Sequence, residues 1–183
     1  MRICFIRHAI DKSKQDVDFK GNQSITLKGK RILKQVIDYY DSEKVVAVYT
    51  STNRRAVQTA EIIAKRYKVP VIATDKLRER TKFDYVKGSQ DEKDFWDNYL
   101  NYDYKNDKFE TCKDYIDRNF EVFDEIKQKH DPLNQNVIVV GHSATLYALN
   151  AYFNGIPKDK KIKWMQCGNC CMVKFETKNT KKY

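Results

Sequence analysis

The chain has 183 residues, 41% hydrophobic and 13% aromatic, enough apolar material for one well-cored domain and too much for a disordered chain. No stretch approaches the roughly 18 apolar residues of a membrane-spanning helix, and five cysteines without a regular framework argue against a disulfide-built scaffold. The formal charge of +10 points to an anionic partner, which could be nucleic acid, a membrane surface or a small molecule.

In chain order, the first element is the apolar run RICFI at 2–6, a strand of the kind buried on both faces, which ends on Arg7 and His8. That run is too short for a signal segment, so a cytoplasmic location is expected. Next come Leu27, Ile32, Leu33, Val36 and Ile37 at helical spacing, with Ser24 or Thr26 available as N-cap. VVAVY at 45–49 predicts a second strand, followed by "TSTNRRAVQTA", which places Arg54 and Arg55 at the start of a helix carrying Ala56, Thr59, Ala60, Ile63 and Ala64. A strand around 71–74 (VIAT) leads into "KLRERTKFDYVKG" and Glu79.

The stretch 89–110 is the least regular. It is polar and aromatic at once, with Phe95, Trp96, Tyr99 and Leu100 expected along one side of a short helix, and it reads as a cap over the core. A helix through Tyr115, Ile116, Phe120, Phe123 and Ile126 follows, then the strand NVIVV at 136–140, Gly141-His142, and a helix ending near Gly155. CCMVKF at 170–175 predicts a last strand. Strands alternating with helices imply one α/β domain over 1–183, with a mainly parallel sheet covered by helices on both faces.

Ligands of open parallel sheets bind at the carboxyl ends of the strands. Two of the three histidines, His8 and His142, stand at such ends, as do Arg7, Arg54, Arg55 and Glu79. Cations gathered on one rim repel one another unless an anion sits among them. Guanidinium forks and helix N-terminal amides suit a phosphate. A neutral imidazole beside it can act as nucleophile, and a carboxyl kept protonated by burial can supply the leaving alkoxide with a proton.

The ordered set of Arg7-His8, "RRAVQTA", "LRER" and "VIVVGH", with "FETCKDYIDR" and "CGNCCMVKF", resembles the histidine phosphatase superfamily of phosphoglycerate mutase-like fold, in its small-molecule phosphomonoesterase branch. The resemblance implies a three-layer α/β/α sandwich and a phosphatase with no cofactor or metal. His8 would become phosphohistidine, Arg7, Arg55 and His142 would hold the phosphoryl oxygens, and Glu79 would be the proton donor. Lys14, Trp96 and Tyr99 are candidate substrate contacts. The departures from the family pattern are Ala9 and Ser143 where glycine is usual, Asp11 and Lys14 in place of the common Thr and Asn, and Asn53 in place of leucine. A carboxylate at Asp11 is expected to repel phosphate.

Rival readings are a phosphohistidine or phosphoprotein phosphatase, a mutase-type phosphotransferase, an inactive phosphate-binding module, and a basic nucleic-acid binder. The last lacks any RNP-like, KH or zinc-finger pattern. Cys167 and Cys170 make a single CxxC, short of a zinc set, and Cys4 and one of Cys170 and Cys171 are expected in the core. Eight lysines between 158 and 183 carry much of the positive charge.

Overall fold

The computed structural model describes residues 2–12, 23–39, 44–80, 88–131 and 134–176. The elements in order are β1 (Arg2–Arg7), α1 (Leu27–Tyr39), β2 (Val45–Ser51), α2 (Arg54–Tyr67), β3 (Val71–Thr74), a 3-10 turn (Asp75–Leu77), α3 (Gln90–Asp97), α4 (Cys112–Lys129), β4 (Asn136–Gly141), α5 (Ser143–Asn154) and β5 (Met172–Glu176). The sheet order is β3-β2-β4-β1-β5, parallel except for β5, which pairs antiparallel to β1. This is the mainly parallel α/β sheet expected from the sequence.

Alternation along the strands divides the core in two. Ile3, Phe5, Tyr49, Val137 and Val139 pack with Ile116, Phe123, Leu146 and Leu149 of α4 and α5. Cys4, Ile6, Val48, Ile138 and Val140 pack with Leu33 and Ile37 of α1 and Ala60 and Ile63 of α2. Buried on both faces, β1 and β4 read as unbroken apolar runs, because any polar side chain there would forfeit its hydration. Cys4 and Cys170 are in this core, as expected. Among the described residues, no helix is long and apolar enough to cross a membrane.

Two expectations need correction. The short helix stops at Asp97, so Tyr99 and Leu100 lie beyond it, where Asn98 closes the helix by donating its backbone N–H to the Asp94 carbonyl. Its rings do not share one side: Phe95 is fully buried while Trp96 is exposed. The last strand begins at Met172, after Cys170 turns the chain with a positive φ of 60°.

Close packing fixes the loop after β1. Thr26, the N-cap of α1, accepts the Gly29 N–H at 2.9 Å, and its own N–H and hydroxyl both donate to the Ile10 carbonyl, at 2.8 and 3.1 Å. Only glycine fits at position 29, where a Cβ would stand 2.5 Å from the Ile10 oxygen. Gly29→Ala is therefore expected to destabilise the fold by about 1–3 kcal/mol, the usual range for overpacking, in urea unfolding. An unchanged midpoint would show that α1 can shift away from the loop freely.

Candidate active site

Strand register builds the site. Arg7 pairs with Gly141 across β1 and β4, so His8 and His142 leave neighbouring strands side by side, with ring centroids 5.2 Å apart. Thr50 pairs with Val140, which sets Ser51 next to Gly141 and within reach of His142. Arg55, in the first turn of α2, comes between the rings. Its Nε lies 3.2 Å from His8 Nε2, and a terminal nitrogen lies 3.3 Å from His142 Nδ1.

These contacts fix the tautomers. His8 Nδ1–H donates to the Ala9 carbonyl at 2.9 Å, which leaves the Nε2 lone pair facing Arg55. His142 accepts from Arg55 at Nδ1, so its Nε2–H donates to Ser51 Oγ at 2.9 Å, and that hydroxyl donates onward to Asn53 Oδ1 at 3.0 Å. The His142 N–H is held by Thr145 Oγ1 at 3.0 Å, and the missing side chain of Gly141 leaves room for that threonine. The His8 backbone is also clamped: Asn169 Nδ2 donates to its carbonyl at 3.0 Å, and the Ala9 N–H donates to Thr59 Oγ1 at 3.0 Å. Thr59 in turn donates to the Arg55 carbonyl at 2.7 Å, which ties the histidine loop to the arginine helix.

Burial governs the charges. His8 is only 5% exposed, and its pKa falls to about 4, first through burial and then through the Arg55 guanidinium. His142, fully buried, lies well below the ordinary range through burial and the neighbouring His8 and Arg55. Both rings are thus neutral at pH 7. Burial also opposes the charge of Arg55, and Asp11 offsets this, its carboxylate 3.4 Å from Arg55 Nε. Arg7 donates to the Cys167 carbonyl, yet its buried Nε has no partner among the described residues, a desolvated donor beside His8 that suits an incoming oxygen.

Glu79, past the carboxyl end of β3 on the same rim, faces the pair with its Oε2 3.9 Å from His142 Nδ1. Burial raises its pKa, partly countered by N–H donation from Arg80 and by the Arg55 and Arg7 charges, with the Ala144 amide in the first turn of α5 a further donor. Arg80 is only 4% exposed. It donates to the Glu110 and Tyr99 carbonyls, with Phe95 and Tyr99 rings 5.1 and 4.6 Å from its guanidinium carbon.

Of the residues expected from sequence, the structure brings Arg55, His8, His142 and Glu79 together, with Arg7 beside them. Lys14 lies outside the described residues. Tyr99 stands against Arg80, and Trp96 is one ring further out, 5.4 Å from Tyr99. Asp11, expected to repel phosphate, is engaged with Arg55. Ser51, Thr59 and Arg80 were not singled out. A serine or threonine at a strand end is too common to signal, and an arginine beside "LRE" reads as solvent-facing until its burial is seen.

Two measurements test this electrostatic picture. Between pH 7 and 5 the unfolded chain takes up protons near pKa 6.5 that the folded His8, near 4, refuses, so stability falls with pH by about 2 kcal/mol from this residue. Glu79 works in the opposite direction, but equally in wild type and a His8→Asn variant. The drop in Tm from pH 7 to 5 should therefore be smaller in His8→Asn, and equal drops would refute a neutral buried imidazole. Asp11→Asn should tighten inorganic phosphate binding about tenfold in calorimetry, since a like charge is removed from the anion's cradle. Unchanged affinity would mean the carboxylate swings clear.

Comparison with known proteins agrees with this geometry. A family profile described as "Histidine phosphatase superfamily (branch 1)" matches residues 3–183. The chain is 26% identical over 178 residues to the uncharacterized phosphatase PhoE of Bacillus subtilis (strain 168), covering 95% of this chain and 87% of the relative. Among solved structures, Bacillus stearothermophilus YhfR superposes with a TM-score of 0.78 at 22% identity, over 97% of this chain and 92% of that one. A mycobacterial glucosyl-3-phosphoglycerate phosphatase in complex with VO3 superposes with a TM-score of 0.75 at 18% identity, over 94% and 90%. With a profile match over nearly its whole length and the histidine-arginine rim in place, the chain belongs to the histidine phosphatase superfamily, branch 1, as a phosphoric monoester hydrolase of phosphoglycerate mutase-like fold.

Proposed function

We propose that this protein hydrolyses small-molecule phosphate monoesters through a phosphohistidine on His8, with Glu79 as proton donor. The observation that carries the reading is the neutral His8 ring, locked by the Ala9 carbonyl so that its Nε2 lone pair faces the Arg55 guanidinium at 3.2 Å, with Glu79 close to His142 on the same rim. In the first step Nε2 forms a bond to phosphorus, the bond to the ester oxygen breaks, and Glu79 gives that oxygen its proton. In the second, water attacks phosphorus, its proton passes to Glu79, and the P–N bond breaks to release phosphate and free His8.

Arg7 and Arg55 hold the non-bridging oxygens as cations, and His142 joins them by taking up a proton at Nδ1 beside the bound anion, so the chain's own charges match that of the transition state and no step is assigned to a metal. The raised pKa of Glu79 keeps more of it protonated near neutral pH than an exposed glutamate, as an acid donor requires. We assign the chain 1–183 to one catalytic domain in which the segment 89–110 forms a cap and selects the substrate, Trp96 and Tyr99 being the contacts and Lys14 a further one. The relatives support a small ester: one is a mycobacterial glucosyl-3-phosphoglycerate phosphatase and another the alpha-ribazole phosphatase of Shigella flexneri.

The test is phosphate release from an aryl phosphate in chelator-treated buffer. Wild type is expected to turn over and His8→Ala, which has no nucleophile for the covalent route, to fall by about 10³-fold or more. Glu79→Gln should lose about 10²–10⁴-fold on an alkyl ester and much less on an ester with a good leaving group, which departs without a proton. Equal losses on both esters would remove Glu79 from the acid role, and wild-type activity that survives His8→Ala would remove the histidine from the nucleophile role.

A further inference from the structure

The sequence holds two tryptophans, Trp96 and Trp164, and both are exposed, at 44% and 66%. Water is a poor place for an indole, which usually buries most of its surface. Each backs onto a tyrosine, Trp96 on Tyr99 at 5.4 Å between ring centroids and Trp164 on Tyr147 at 5.6 Å. The two tyrosines, far apart in sequence, line one small cavity together with Arg80 and Ala144. Those two residues flank the proposed acid: Arg80 follows Glu79 in the chain, and the Ala144 amide donates to its carboxylate. Glu79 in turn pushes up the pKa of Tyr99, and that of Tyr147 to about 12, second only to burial in each case, so both phenols feel its charge.

The segments that carry the indoles are sewn together. Tyr102 N–H donates to the Lys160 carbonyl and Ile162 N–H to the Leu100 carbonyl, each at 2.8 Å, with Asn101 and Lys161 paired antiparallel between them. Buried Arg80 pins the first of these segments to the core through the Tyr99 and Glu110 carbonyls. The two indoles therefore sit on segments braced against each other, and the tyrosines behind them line a cavity beside Glu79, on whose side the leaving alcohol lies in the phosphatase reading. Lys158, Lys160, Lys161 and Lys163 are exposed on the segment that leads to Trp164, with Asp159 as the one carboxylate among them, which makes that segment positive as well as aromatic.

We infer that Trp96 and Trp164 form a leaving-group subsite for a flat aromatic ring, so that the substrates are phosphate monoesters whose alcohol carries such a ring, nucleoside monophosphates among them. The inference rests on the phosphatase reading for the position of the ester oxygen and adds the identity of what departs. A stacked ring gains dispersion and apolar burial on an indole without needing a base-specific hydrogen bond, so the preference is for ring over no ring rather than for one base.

The experiment compares adenosine 5'-monophosphate with ribose 5-phosphate, which shares the ester and sugar but lacks the ring. Wild type is expected to favour the nucleotide about 10- to 100-fold in kcat/KM, the range given by one stacked base. The ratio should fall towards one in a Trp96→Leu, Trp164→Leu double variant and be largely restored when both are phenylalanine, with circular dichroism confirming that the variants fold. A wild-type ratio near one, or a ratio the double variant leaves unchanged, overturns the subsite. Binding gives a readout independent of turnover: in His8→Ala, adenosine 5'-monophosphate should quench the intrinsic tryptophan fluorescence and ribose 5-phosphate should not. If wild type releases phosphate from no ester, the phosphatase reading fails. The quench then decides the subsite alone: its presence supports it, and its absence overturns it.

Discussion

One guanidinium organises the pocket. Arg55 lies within hydrogen-bonding reach of both imidazoles and pairs with Asp11, while burial works against its own charge. A desolvated cation is tolerable only if its neighbours are lone pairs or anions, and after burial, the larger cause, its charge helps keep both histidines neutral. The tautomers follow: Nδ1–H of His8 turns to the Ala9 carbonyl, and Nε2–H of His142 turns to Ser51. Reactivity here comes from where the protons cannot go.

The second tier of contacts holds Arg55 itself. Thr59 joins its carbonyl to the Ala9 amide, and Gly29 admits Ile10 close against the start of α1. Where the sequence has Ala9, the side chain is fully buried among core residues, so the departure from glycine is absorbed by packing and does not block the pocket. Asp11 is the departure with chemical weight, because it places a carboxylate on the buried Arg55 guanidinium.

Much of this was legible before the structure. Apolar β-branched runs mark strands buried on both faces, and the residues directly after them must surface at one rim, so His8, His142 and Glu79 could be gathered from order alone. Thr26 and Ser24 were equal as caps on composition; only the Ile10 carbonyl, brought in by the fold, decides for Thr26. Arg80 was illegible for a related reason. Burying an arginine depends on distant carbonyls and rings, at Tyr99, Glu110 and Phe95, that no local pattern reveals. Tyr99 and Leu100 were assigned to a helix because their spacing fits, but Asn98 ends it first.

The position of β1 has a consequence for the order of assembly. Its partners are β4 and β5, from 136 onward, and the His8 carbonyl is held by Asn169. During synthesis the first strand leaves the ribosome with no neighbour to pair with, and it waits until more than a hundred further residues have followed. Such late, long-range pairing folds slowly and leaves an apolar strand open to wrong partners meanwhile. It also means that a truncated or stalled chain carries His8 without its frame, so the paired-histidine pocket exists only in molecules in which β4 and β5 have docked.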